Sequence, residues 1–140
     1  LDCNISTPSM GRKQNDEERY FENLTYLEYR VWNEWIYELS KYKYAVHLMR
    51  THAAGTFALN CAYLGIPCIG FVGLNTQEYC HLMLSVEMGD LVTAKKLANK
   101  LKTDKKFYDD CSYDCRLTYN DYIESEFVYK METKFDQICK

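Results

Sequence analysis

The stretch YAVHLMRTHAAGTFALNCAYLGIPCIGF, Tyr44 to Phe71, decides the fold. Its first six residues, YAVHLM, form a compact apolar run of strand length behind the polar KYK, as expected of a strand buried on both faces of a parallel sheet. Gly55 to Leu64 is short, apolar nearly all round and closed by Gly65, which suits the C-terminal stop of a helix. Pro67 then opens PCIGF as a second buried strand. The unit reads as strand, loop, helix, strand.

Downstream, a third short strand is expected at Leu84 to Val86. Gly89-Asp90 then caps a helix carrying Leu91, Ala94, Leu97, Ala98 and Leu101 on one face. Asp104 can cap the next helix, where Phe107, Cys111 and Cys115 share a face, and Phe127, Met131, Phe135 and Ile138 mark a final helical tail. Upstream, Thr25 and Glu28 make a capping-box pattern. With Leu24, Leu27, Val31, Trp35 and Leu39 at helical spacing, it predicts one amphipathic helix from Asn23 to Ser40. Residues 1–22, with Pro8, Gly11 and the run GRKQNDEER, read as an irregular lead-in to a domain over 23–140. Alternating strands and helices predict a three-layer α/β domain with a parallel sheet, right-handed crossovers and a helical C-terminal tail.

At 140 residues, 47% hydrophobic and 15% aromatic, the chain can bury one core without staples. A formal charge of -3, with both signs interspersed, gives no footprint for nucleic acid. No stretch approaches the roughly 18 to 20 apolar residues of a membrane span, and LDCNISTPSM lacks the regions of a signal peptide, so a cytoplasmic location is expected. Seven cysteines is an odd number, for which reduced thiols are the simplest reading. The initial Leu hints at a trimmed product or a fragment.

Chemistry concentrates where a strand gives way to a helix, because loop amides and the helix N-terminus there carry partial positive charge. Gly55 lets a ligand approach the backbone, Thr56 adds a hydroxyl, and Arg50 and His52 can donate to an anion. Taken singly, each also fits a plain structural role as a cap, a packed imidazole or a solvated cation. Elsewhere, Cys111 and Cys115 lie one helical turn apart without completing a tetrahedral ligand set, and Cys80-His81 are adjacent rather than ligand-spaced; packing is expected. Asp109-Asp110, Glu124 and Glu126 sit in polar helical sequence and read as solvated, whereas Trp32 and Trp35 read as core.

The ordered set Thr51-His52, Ala54-Gly55-Thr56, Asn60, Gly65-Ile66-Pro67 and Thr76-Gln77 resembles the donor signature of GT-B glycosyltransferases, and LSVEMGDLVTAKKLANKLKTDKKFYDDCS is similar to the run that follows it. The likeness covers about Tyr42 to the C-terminus. It implies the Rossmann-like C-terminal half of such an enzyme, binding a UDP- or GDP-sugar. His52, Gly55 and Thr56 would serve the diphosphate, Asn60 the ribose, and Thr76 and Gln77 the transferred sugar, while Arg50 joins the set as a neighbouring cation able to donate to an anion. Asn60 and Thr76 stand where the family carries acidic residues. The resemblance further implies no metal or other cofactor, and an acceptor-binding N-terminal half or separate subunit for turnover. A non-catalytic α/β binding module is the competing expectation.

Overall fold

A computed structural model describes residues 3–8, 22–48 and 56–138, except for the side chains at 126, 127 and 135–138. The chain divides into two compact units, Leu1–Glu38 and Leu39–Lys140.

In the first unit, β1 (Ile5–Pro8) pairs in parallel with β2 (Leu24–Leu27), Ile5 opposite Leu24 and Pro8 opposite Leu27. The helix expected from Asn23 is therefore shorter, running as α1 from Trp32 to Leu39. Leu24-Thr25-Tyr26-Leu27 satisfies a strand period as well as a helical one, and its β-branched and aromatic centre suits the strand. Trp32 is 68% exposed rather than packed.

The second unit is mixed α/β. Its elements run β3 (Ala45–His47), α2 (Thr56–Leu64), β4 (Cys68–Phe71), α3 (Asn75–Cys80), a 3₁₀ turn (Leu82–Leu84), β5 (Ser85–Val86) and α4 (Leu91–Thr103), followed by a long helical stretch. The stretch comprises α5 (Lys105–Asp121), a π-helical segment (Tyr122–Val128) and α6 (Tyr129–Ile138). The three strands are parallel in the order β3-β4-β5, so the central strand is the one opening with PCIGF. Both caps read from the sequence form: Asp90 accepts from the Thr93 amide at 2.9 Å and Asp104 from the Phe107 amide at 2.9 Å. Gly65 closes α2 at φ 69, where a side chain would be strained.

Side-chain alternation along β4 sorts the layers. Ile69 and Phe71 pack with Leu84, Val86, Ala94, Ala98, Leu101 and Cys111, placing α4 on one face. Cys68 and Gly70 point to the other, where Cys68 meets Cys61 of α2 and Gly70 meets Gln77 of α3. The third expected strand is shorter than Leu84–Val86, because Leu84 belongs to the 3₁₀ turn and is itself core, 1% exposed.

Helix α5 binds the layers together from one end. Tyr108 donates to the Lys43 carbonyl ahead of β3, Ser112 to that of Gly65 (2.6 Å), Arg116 to that of Leu64 (2.8 Å) and Thr118 to that of Cys80 (3.3 Å). All four acceptors lie just before a strand or at the end of a helix preceding one, so α5 crosses the amino-terminal ends of the strands. Two of them belong to the last turn of α2 or its cap, where helical carbonyls lack intrahelical donors.

Gly70 has a steric function. A Cβ there would sit 2.5 Å from Gln77 Cδ and Oε1, and Gln77 is wholly buried. Gly70→Ala is expected to lower stability by about 1–3 kcal/mol through overpacking. Gly70→Ala in a Gln77→Ala background should cost much less, and urea denaturation of the four proteins in that cycle measures the difference. Equal penalties in both backgrounds would show that Gln77 is not what the methyl strikes.

Candidate functional site

The carboxyl ends of the parallel strands form the candidate site, since α5 closes the other end. His47, the last residue of β3, lies against Phe57 in the first turn of α2, ring centroids 5.4 Å apart. That contact places the N-terminus of α2 beside the end of β3. Burial lowers the pKa of His47, which favours a neutral ring able to donate through one nitrogen and accept through the other. The sequence assigns this histidine to the strand; its place near the end of that apolar run, ahead of Arg50 and His52, was the available signal.

The helix N-termini at this end differ. That of α4 is already held by Asp90, which takes hydrogen bonds from both the amide and the hydroxyl of Thr93; those bonds lower its pKa. The first turn of α2 contains no acidic residue, so its partial positive charge has no carboxylate of its own. Thr56 is exposed at its first residue and Asn60 is half-buried one turn on. Arg50, His52 and Gly55 lie outside the described residues.

Thr76 and Gln77 stand apart from this position. Both are buried in α3, at 6% and 0% exposure. The Gln77 amide nitrogen donates to the Cys68 carbonyl at 2.9 Å, and its Oε1 has no hydrogen-bond partner among the described residues. Their surroundings explain why. The amide of Ala45 in β3 donates to the Pro67 carbonyl, and backbone groups alternate along β4, so the N–H and C=O of Cys68 face the β5 side. β5 begins pairing only at Gly70. Side chains fill the gap: Gln77 donates to the carbonyl, and the amide of Cys68 donates to His81 Nδ1 at 3.4 Å.

His81 completes this network by donating from Nε2 to the Ala58 carbonyl of α2 at 2.9 Å, which fixes the tautomer. The ring is 3% exposed, and burial pushes its pKa down to about 4, opposed by the bond to Ala58. Adjacency to Cys80 gave no hint of this role, because both partners are distant in sequence.

The thiols are structural. Cys61, Cys68, Cys80, Cys111 and Cys115 are buried and free. The hydrogen bond to Cys68 and burial raise the Cys61 thiol well above its usual value, and burial raises Cys80 and Cys111 to about 11 and Cys115 to about 12. Such thiols stay protonated at neutral pH and are poor nucleophiles. Among the described residues no group of His, Cys, Asp or Glu could hold a metal ion, and no helix is long and apolar enough to cross a membrane. Asp109 and Asp110 pair on the surface with Lys105 and Lys106. The chain matches no protein-family model and no curated protein sequence.

His81 dictates a pH response. Its pKa is 6.5 when unfolded and about 4 when folded, so the unfolded chain binds the extra proton first as pH falls. The contribution is complete above pH 6.5 and is lost progressively down to pH 4, worth roughly 3 kcal/mol at the limit. Chemical denaturation across that window should show the slope. His81→Gln should lower stability at pH 7 and flatten it, leaving a shallower response in the same direction from His47. An unchanged slope in the variant would disprove the assignment.

Proposed function

We propose that this chain is the donor-binding part of a GT-B glycosyltransferase, holding a nucleotide diphosphate-sugar at the N-terminus of α2. The observation that carries the reading is that N-terminus, set beside the end of β3 by the His47–Phe57 contact and free of acidic residues in its first turn. Backbone amides and the helix dipole there suit a diphosphate, both as bound group and as leaving group. In this reading Arg50, His52 and Thr56 donate to the phosphates, Gly55 permits the close approach, and Asn60 meets the ribose hydroxyls. The resemblance over Thr51 to Gln77 supports the same assignment. Thr76 and Gln77, which the family pattern would give to the sugar, act here as frame, because Gln77 is fully buried and its amide nitrogen is engaged on β4.

Transfer needs an acceptor site, and the reading assigns it to a further half or a partner subunit, so this chain binds donor without turnover. Asn60 in place of a carboxylate favours one alternative, an α/β module that retains phosphate binding without catalysis.

Isothermal titration with UDP, GDP and their sugars tests the proposal. Binding in the micromolar range is expected, with His52→Ala weakening it about tenfold by removing a phosphate donor. Asn60→Asp should strengthen nucleotide-sugar binding over free diphosphate by restoring a ribose acceptor. Absence of binding by all four classes of ligand would overturn the proposal.

A further inference from the structure

We infer that the turn before α4 and the solvent face of that helix form a docking surface for an anionic lipid bilayer. The outer face of α4 is set by its inner one. Ala94, Ala98 and Leu101 are buried in the core. With 3.6 residues per turn, Leu91, Val92, Lys95, Lys96, Asn99 and Lys102 then lie on the outer side, and all six are exposed.

The apolar members of this surface gather at its start. Glu87 to Asp90 make a tight turn, closed by the Asp90 amide donating to the Glu87 carbonyl at 2.9 Å. A Cβ on Gly89 would meet nothing within 4 Å, so the turn stands clear of the fold. Met88 in the turn is 51% exposed, and Leu91 and Val92, in the first turn of the helix, are 61% and 66% exposed. The core does not use them, since α4 closes it with Ala94, Ala98 and Leu101.

Lysines follow directly. From Glu87 to Thr103 the only acidic residues are Glu87 and Asp90, against Lys95, Lys96, Lys100 and Lys102. The Asp90 carboxylate is engaged by Thr93, and Lys100 lies over the Phe107 ring, 4.0 Å from its centroid. Lys95, Lys96 and Lys102 form no ion pair among the described residues. The face is therefore positive although the chain carries a formal charge of -3. Charges farther away than about 10 Å are screened at 0.1 M salt, so the acidic remainder does not cancel the local attraction.

That combination selects the partner. An anionic bilayer offers its headgroups to the lysines and, beneath them, hydrocarbon to Met88, Leu91 and Val92. A nucleic acid or an acidic peptide would answer the charge and leave the apolar turn in water. A second copy meeting this face across a two-fold axis would set the same lysines against one another.

Flotation of the full chain with phosphatidylcholine vesicles, with and without about 30 mol% phosphatidylserine, tests this. Binding to the anionic vesicles alone is expected, weakening as salt rises from about 0.1 M to about 1 M. Lys95→Glu/Lys96→Glu should weaken it by about thirtyfold or more, and Leu91→Ser/Val92→Ser by about tenfold. Both variants should keep the circular dichroism of the parent chain, because all four side chains are exposed. Equal binding to neutral vesicles, or no flotation with either kind, would overturn the inference. So would binding that the lysine variant loses and the apolar variant keeps, which is the behaviour of a nucleic-acid or acidic-peptide site. A dimer of the free chain that Leu91→Ser/Val92→Ser dissolves would assign the face to a second copy and overturn it as well.

Discussion

The second unit depends on how two backbone groups of one residue are satisfied. Cys68 opens the central strand and turns its N–H and C=O toward β5, which is too short to meet them. A buried peptide group without a partner costs on the order of 1–3 kcal/mol, and two would be a large part of the stability of a domain this size. Gln77 and His81 bring an amide donor and an imidazole acceptor from the segment immediately before β5. Other features follow from that choice. Gly70 carries no side chain because the Gln77 amide lies where one would stand. Ser85 donates to the His81 carbonyl at 3.0 Å, which fastens the start of β5 to the residue doing the bridging. Burial holds His81 neutral, and in that form its Nδ1 accepts the bond from Cys68.

The two ends of the sheet are treated differently for a related reason. Helix C-termini expose carbonyls and helix N-termini expose amides, so a layered α/β unit gathers acceptors at one end of its strands and donors at the other. Here α5 supplies the donors for the acceptor end from Ser112, Arg116 and Thr118. At the donor end α4 is satisfied by Asp90 in its own chain segment, whereas α2 brings no carboxylate. The asymmetry leaves the start of α2 without a carboxylate of its own, and Thr56 is the exposed residue that stands there on the described surface.

Local chemistry was legible in the sequence wherever a residue acts on its near neighbours. Asp90 and Asp104 each cap a helix by accepting from the amide three residues on, Gly65 closes the helix it follows, and the apolar runs announce strands at 45–47 and 68–71. The second is buried throughout, whereas the first, expected to be buried on both faces, is an edge strand with Val46 51% exposed. Non-local pairing was not legible. Leu24–Leu27 became a strand because Ile5–Pro8 lies beside it, a partner that no periodicity within the segment could reveal. The same holds for the proposed site. Spacing singled out Thr56 and Asn60 at the start of α2, but could not tell that Gln77 faces inward, because its burial follows from β5 being two residues long.

That last point bears on what a buried glutamine means in a unit like this one. A Thr-Gln pair at the start of a helix following a central strand invites reading as a ligand contact, since the carboxyl ends of strands are where ligands gather. The pair does sit in the helix after β4, yet Gln77 is the third residue of that helix and points back along the sheet toward Cys68, near the amino end of the same strand. With a longer β5, the Cys68 groups would find a strand partner and the glutamine would be released. Here β5 is two residues long, the Cys68 carbonyl is left to the glutamine, and the glutamine faces the sheet.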